Sequence, residues 1–302
     1  MSASENPLPP MSPPRRALLD FFSRALSSFQ HSSSKFQVIC TIPPARRDHD
    51  RLPVPTPPST RPRTLVVLDS SFNPPTIAHL RMAASALHDL TKSKRKDLGA
   101  VRLLLLLAVN NADKAPKPAP FDQRLALMWA FAKDIQSSSG QGSIVSEEMG
   151  KTREQEEGWN IDIALSTQPY FHEKSAAIAQ SDFYEGSQND KEEVMEQVIL
   201  AGYDTLIRIF NPKYYGPPTS PARSATPIQK ALDPFFSRAK LRVTLRTDDE
   251  WGGKEDQLAY LQGVLTGEGL RKVGGSQEWG RRIEMVEGRK KRDVRSGCSA
   301  EA

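Results

Sequence analysis

The chain has 302 residues, of which 38% are hydrophobic, and it carries a formal charge of +5 at pH 7. Its two cysteines stand near opposite ends and no apolar run approaches the roughly 18 residues of a membrane span, which excludes a disulfide scaffold and a membrane-embedded protein. Residues 1–62 hold 8 basic and 4 acidic side chains and residues 270–302 hold 9 and 5, so the positive charge lies at the ends, which disfavours specific nucleic-acid binding by the centre.

The first 62 residues contain half of the 24 prolines. This composition predicts extended, poorly ordered segments at 1–14 and 43–62. Between them, apolar residues recur at helical spacing over 16–30, and 36–42 is predicted as a strand. We expect this helix and strand to pack onto the edge of the following domain, in preference to a targeting or membrane-surface helix.

From residue 63 onward, near-continuous apolar runs alternate with segments of helical spacing. The predicted strands are 64–68, 101–109, 143–147, 198–202 and 241–245. The predicted helices are 77–90, 121–136, 173–180, 191–198 and 226–238, whereas the Gly-rich stretches 251–253 and 263–275 are predicted to be irregular. Such alternation predicts an α/β fold with a doubly wound parallel sheet, whose ligands bind beyond the carboxyl ends of the strands.

The domain organisation predicted from these patterns has three parts. Residues 1–62 form an N-terminal helix and strand extension, 63–290 one α/β domain, and 291–302 a basic tail. The basic N-terminus also suits a mitochondrial presequence, but Glu5, Asp20 and the prolines disfavour one. We therefore expect a cytoplasmic or nuclear protein.

The turn after the first strand of this domain carries the strongest chemical signal. An apolar strand ends at Leu68, Asp69 and a Ser/Asn/Pro turn follow, and a helix opens at Ile77. Backbone N–H groups of Ser70, Ser71 and Phe72 can face an anion there, and phosphate binds well at a helix N-terminus.

Two side chains at the opening of that helix add to the signal. Thr76 suits the N-cap position, and His79 lies three residues on, on the same helix face. From spacing alone, an ordinary strand–turn–helix with a capping Thr and a surface His fits equally well.

The segment Ser-Phe-Asn-Pro-Pro-Thr-Ile-Ala-His-Leu at 71–80 resembles the phosphate-binding motif of the nucleotidyltransferase superfamily. Its form is typical of nicotinamide-mononucleotide adenylyltransferases, and the Asp-Ser-Ser opening resembles their divergent fungal branch. The resemblance covers about residues 15 to 290. It implies a Rossmann-like nucleotidyltransferase fold, ATP with Mg²⁺, and formation of NAD and pyrophosphate from nicotinamide mononucleotide, with His79 and Thr76 in the catalytic site.

Further matching positions follow in chain order. The resemblance implies that Lys114 meets a phosphate, that Gly202 allows close approach of the adenosine, and that Asp204 accepts hydrogen bonds from a ribose hydroxyl. Arg124 lies in a segment that resembles the helix after the second strand. A solvated Lys, a surface Arg and a capping Asp are the plain structural alternatives at these positions.

Two features depart from the family pattern. Relatives stack the nicotinamide ring on a Trp, for which Trp159 is preferred here over Trp129. The family's second phosphate motif, Ile-Ser-Ser-Thr-x-x-Arg, does not occur in the printed sequence. Truncation, misprediction or loss of the motif would each explain this, and catalytic competence depends on which applies.

Three alternatives to this enzyme stay open. The first is a cytidylyltransferase-like enzyme that acts on another phosphorylated acceptor. The second is a nucleotide-binding protein with weak or no catalysis, and the third is weak, salt-sensitive nucleic-acid binding through the basic ends. No membrane partner and no metal cluster is expected, and a homo-oligomer stays open.

Overall fold

The computed structural model describes residues 15–44, 53–93, 101–110, 119–140, 159–186, 194–217, 225–245 and 254–286. The strands in these ranges are β1 (Phe36–Ile42), β2 (Thr64–Asp69), β3 (Val101–Ala108), β4 (Ile161–Ser166), β5 (Glu196–Gly202), β6 (Ala239–Thr244) and β7 (Ile283–Val286). The helices are α1 (Arg15–His31), α2 (Ile77–Ser93), α3 (Phe121–Gly140), α4 (Phe171–Ala179), α5 (Tyr203–Ile209), α6 (Pro227–Arg238), α7 (Lys254–Leu265) and α8 (Glu268–Lys272).

The described strands form one sheet in the order β1-β4-β3-β2-β5-β6-β7. All neighbouring pairs are parallel except β1 with β4. From β2 the chain moves through β3 to β4 on one side, and then through β5 and β6 to β7 on the other. This is a doubly wound sheet, so the predicted α/β fold is confirmed. The direction of winding reverses at β2, and the crevice beyond that point is where such folds bind ligands.

Two apolar cores cover the two faces of the sheet, which explains why the strands are apolar at nearly every position. Leu65 and Val67 of β2 point into the core beneath α4, α5 and α6. Val66 and Leu68 point into the opposite core beneath α1, α2 and α3. The sheet therefore holds the carboxyl end of β2 rigidly between two packed layers.

The helix and strand near the N-terminus pack at the edge of the sheet, as expected. A buried polar network ties this edge together: Asp162 accepts hydrogen bonds from Arg102 at 2.6 Å and from Thr41 at 2.7 Å. Residues 53–56 also lie against β1, since the Thr41 N–H donates to the Val54 carbonyl at 3.0 Å. The expectation of a poorly ordered segment is therefore wrong for this stretch.

Two expected elements differ from the structure. The predicted helix at 191–198 is wrong from residue 196 onward, because Glu196 to Gly202 pair with β2 and β6 as strand β5. The predicted strand at 143–147 lies outside the described residues, and the strand next to β3 is β4, which the sequence patterns missed.

The Gly-rich stretch 263–275 is helical over most of its length, contrary to expectation. Buried Val264 and Leu270 hold α7 and α8 against the core. Gly267 separates the two helices with a φ of 81°, in the left-handed region that favours glycine. Gly267 thus marks the break between two helices.

Candidate active site

A cleft of about 410 Å³ opens at the carboxyl edge of the sheet, beside the point where the winding reverses. The end of β2 and the turn after it supply Asp69, Ser70 and Ser71 to its wall. Lys174 of α4 and Asp204 of α5 also line it. The cleft therefore brings together polar groups from three elements that are distant in sequence.

Hydrogen bonds join Ser70, Thr76 and His79 within the turn. His79 Nε2 lies 3.0 Å from Ser70 Oγ, and His79 Nδ1 accepts a hydrogen bond from the Thr76 backbone N–H at 3.0 Å. Thr76 also caps α2, because its Oγ1 accepts from the His79 N–H at 3.4 Å. His79 reaches the cleft through Ser70, which lies in the wall itself.

The protonation state of His79 follows from these contacts. A backbone N–H can only donate, so Nδ1 is the unprotonated nitrogen and Nε2 carries the proton. The ring lies against Phe72 and Phe131, with centroid distances of 5.7 and 6.5 Å, and burial lowers the pKa of His79. Near pH 7, His79 is thus a neutral hydrogen-bond donor.

The backbone donors of the turn are fewer than the sequence predicts. The Ser70 N–H donates to the Leu106 carbonyl at 3.3 Å, and the Phe72 N–H points to Ser70 Oγ at 3.5 Å. Among the described residues, the Ser71 N–H has no acceptor. Phe72 is fully buried with a φ of 46°, so its ring anchors the turn in the core. Of the three predicted backbone donors, Ser71 is therefore the one whose N–H is left for an anion.

A buried ion pair in the cleft was missed by the sequence patterns. Lys174 Nζ lies 2.5 Å from Asp69 Oδ2, and both side chains are less than a tenth exposed. The pair joins the end of β2 to α4. No local pattern signals it, because 105 residues separate the two positions. Lys174 adds a cation next to the turn that carries Ser70 and Ser71.

Gly202 and Asp204 lie together where β5 passes into α5. A Cβ on Gly202 would meet Asp204 Oδ1 at 2.7 Å, which is closer than carbon and oxygen atoms approach. The absence of a side chain at Gly202 thus leaves room for the Asp204 carboxylate. Asp204 lies in the lining of the cleft, and the roles that the resemblance implies for both residues stay predictions.

Aromatic rings line the outer part of the cleft. Tyr170 and Tyr214 lie with ring centroids 6.1 Å apart, and Tyr170 stacks on His172 at 5.8 Å. Tyr215 donates a hydrogen bond to the Ile209 carbonyl at 2.5 Å, which fixes its ring. These rings offer apolar faces to a planar base.

Trp159, predicted to stack the nicotinamide ring, lies at the other edge of the sheet. It precedes β4, where the Asn160 carbonyl accepts from the Leu103 N–H at the amino end of the parallel strands. Its ring packs on the core beneath α1 and α3, as does that of Trp129. The stacking role expected for Trp159 is corrected for this reason, and the rings at the cleft come from Tyr170 and Tyr214.

Lys114 and Arg124 are the remaining residues that the sequence analysis singled out. Lys114 lies outside the described residues, as do the residues after Val286. Arg124 is not on the surface: its side chain is buried in the first turns of α3.

Within the described ranges, no group of three His, Cys, Asp or Glu side chains is placed to hold a metal ion. None of the helices in those ranges is both long and apolar enough to cross a bilayer.

The chain is similar to a fungal protein over about two thirds of its length. No model of a protein family matches the chain. Over 202 residues the chain is 30% identical to a protein of Schizosaccharomyces pombe named "Putative nicotinamide mononucleotide adenylyltransferase". The match covers 67% of this chain and 61% of that protein, so the chain spans about three fifths of the length of the relative.

Proposed function

The chain belongs to the nicotinamide mononucleotide adenylyltransferase family, in its divergent fungal branch, and on this premise we propose that it transfers the adenylyl group of ATP to nicotinamide mononucleotide. A phosphate oxygen of the mononucleotide attacks the α-phosphorus of ATP. The bond from that phosphorus to the β-phosphate oxygen breaks, and NAD and pyrophosphate are released. Mg²⁺ enters as part of the magnesium–ATP substrate.

Such a reaction depends on how the enzyme positions the two substrates and on hydrogen bonds to the phosphate oxygens. It needs no protein nucleophile. In our proposal, a phosphate oxygen replaces Ser70 Oγ as the acceptor of the His79 Nε2–H, and the Ser71 N–H donates to the same phosphate group, on which charge develops. Lys174 adds a positive charge beside the same oxygens. Asp204 receives a ribose hydroxyl, and Tyr170 and Tyr214 enclose a base.

The observation that supports this proposal most strongly is the hydrogen-bonded set of Ser70, Thr76 and His79. Ser70 of this set lies in the wall of the cleft, after the carboxyl end of β2, and His79 contacts Ser70. A neutral Nε2–H directed to the cleft through a hydroxyl is suited to a phosphate oxygen, which only accepts hydrogen bonds.

An assay of purified full-length chain tests the proposal. ATP or CTP is supplied with Mg²⁺ and a panel of acceptors: nicotinamide mononucleotide, phosphocholine and phosphopantetheine. We expect release of pyrophosphate with ATP and nicotinamide mononucleotide, and formation of NAD in equal amount.

Two other outcomes of this assay would indicate a different function. Activity with CTP and a different acceptor would support a cytidylyltransferase-like enzyme. Binding of ATP in calorimetry without any product would support a nucleotide-binding protein without catalysis. Either result would contradict the proposed reaction.

A further inference from the structure

Arg124 has a buried guanidinium group for which the described part of the chain supplies no acceptor. The side chain is 1% exposed, and among the described residues Nε and Nη2 have no hydrogen-bond partner. Its recorded contact is with the Phe121 ring, whose centroid lies 4.3 Å from Cζ. Burial lowers the pKa of Arg124.

The other buried arginines are paired. Arg102 lies 2.6 Å from Asp162, and Arg242 contacts both Asp89 and Glu284. A charge buried without a partner costs several kcal/mol, and proteins almost always pair it. An unpaired guanidinium is therefore expected where a ligand supplies the acceptor.

The position of Arg124 relates it to the phosphate turn. At the start of α3, the Ala119 N–H donates to Asn73 Oδ1 at 3.1 Å. Residues seven positions apart lie on the same face of a helix and about 10 Å apart along its axis. Arg124 therefore shares a face of α3 with Phe131 and lies nearer the start of the helix. Phe131 in turn contacts Phe72 and His79. The guanidinium thus lies on the face of α3 that packs against the turn and its histidine.

We propose that Arg124 is a phosphate-binding residue, whose guanidinium forms charge-assisted hydrogen bonds with a phosphate group of the bound nucleotide. This inference deepens the proposed function and rests on it for the identity of the nucleotide. A guanidinium suits the role because its planar donors match two phosphate oxygens at once. The phosphate belongs either to ATP or to the mononucleotide, and the test distinguishes the two.

The variant Arg124→Met removes the charge and keeps much of the side-chain volume. We expect its Tm to equal or exceed that of the wild type, because an unpaired buried charge is removed. Calorimetry should show a Kd raised about 10- to 100-fold for one of two ligands, magnesium–ATP or nicotinamide mononucleotide. Arg124→Lys should restore part of that affinity.

Arg102→Met is the matched control, since it removes a buried arginine that is paired. We expect a lowered Tm in this variant, because Asp162 then loses its charged partner. An Arg124→Met variant that is unfolded, has a lowered Tm or keeps wild-type affinity for both ligands would overturn the inference.

The experiment distinguishes a failure of the role proposed for Arg124 from a failure of the proposed reaction. Wild-type chain that forms NAD while Arg124→Met binds both ligands normally would refute this role of Arg124 alone. Wild-type chain that forms no NAD but binds inorganic pyrophosphate through Arg124 would support the phosphate site and refute the reaction.

Discussion

The properties of His79 arise from its immediate neighbours. The three-residue spacing from Thr76 is visible in the sequence, and so is the helix that carries both. The tautomer is not visible there, because it depends on the Thr76 N–H at Nδ1 and on Ser70 Oγ at Nε2. The structure therefore adds that His79 donates as a neutral ring.

Replacing this donor tests its role. We expect His79→Ala to lower kcat about 10²- to 10³-fold, as loss of one preorganised donor to a transition state does. His79→Gln keeps an N–H donor and should retain more activity. Steady-state kinetics on both variants gives the comparison, with His88→Ala on the exposed side of the same helix as control. An unchanged kcat in His79→Ala would remove His79 from the mechanism.

The histidines also predict a pH dependence of stability. Burial lowers the pKa of His79 and of His172 in the folded chain. When the pH falls through about 6.5, the usual value, the unfolded chain takes up protons that the folded chain does not, so the free energy of unfolding decreases. Above that pH the contribution is constant.

We therefore expect the drop in Tm from pH 7 to pH 5 to be smaller in His79→Gln and in His172→Gln than in the wild type. Thermal unfolding at several pH values measures this, with His31→Gln at the exposed end of α1 as control. Wild-type slopes in both variants would contradict the burial of these rings.

The sequence patterns did not predict the contacts that join different helices and strands at the site. Asp69 directly follows a predicted strand and Lys174 lies in a predicted helix, but no local pattern links the two residues. The predicted helix at 191–198 failed for a related reason. Its charged and apolar residues fit helical spacing, whereas pairing with β2 and β6 imposes an extended backbone on Glu196 to Gly202.

The Asp69–Lys174 pair should stabilise the junction of β2 with α4. Replacing one member of a buried pair leaves the other charge unpaired, so we expect Lys174→Met to cost about 3 kcal/mol of unfolding free energy. The double variant Asp69→Asn/Lys174→Met should regain most of this loss. Urea unfolding of both variants gives the free energies. A cost below about 1 kcal/mol, or no recovery in the double variant, would contradict a buried, interacting pair.

The existence of a parallel sheet was predictable, because apolar strands alternate with helices along the chain. The segment at 71–80 also marks the end of the first strand of the domain. Strand β4 was not predicted, because the sequence patterns favoured residues 143–147 as the strand in this part of the chain. The partnership of β1 with β4 was also outside the reach of local patterns, because it joins residues more than 100 positions apart.

A pair of deletions tests whether α1 and β1 belong to the folded unit. Removing residues 1–44 takes away both elements, exposes the edge of β4 and leaves Asp162 without Thr41. We expect this variant to aggregate or to lose cooperative unfolding. Removing residues 1–14 is the control and should leave the Tm unchanged. Equal stability of the two deletions would show that the N-terminal elements are dispensable.

All of the chemistry proposed for this chain requires a nucleotide phosphate at the turn after β2. A crystal structure of the full chain with a non-hydrolysable ATP analogue and Mg²⁺ locates that phosphate. We expect a phosphate oxygen within hydrogen-bond distance of the Ser71 N–H and of His79 Nε2. Analogue bound away from the carboxyl end of β2, or a turn that touches no phosphate, would contradict it.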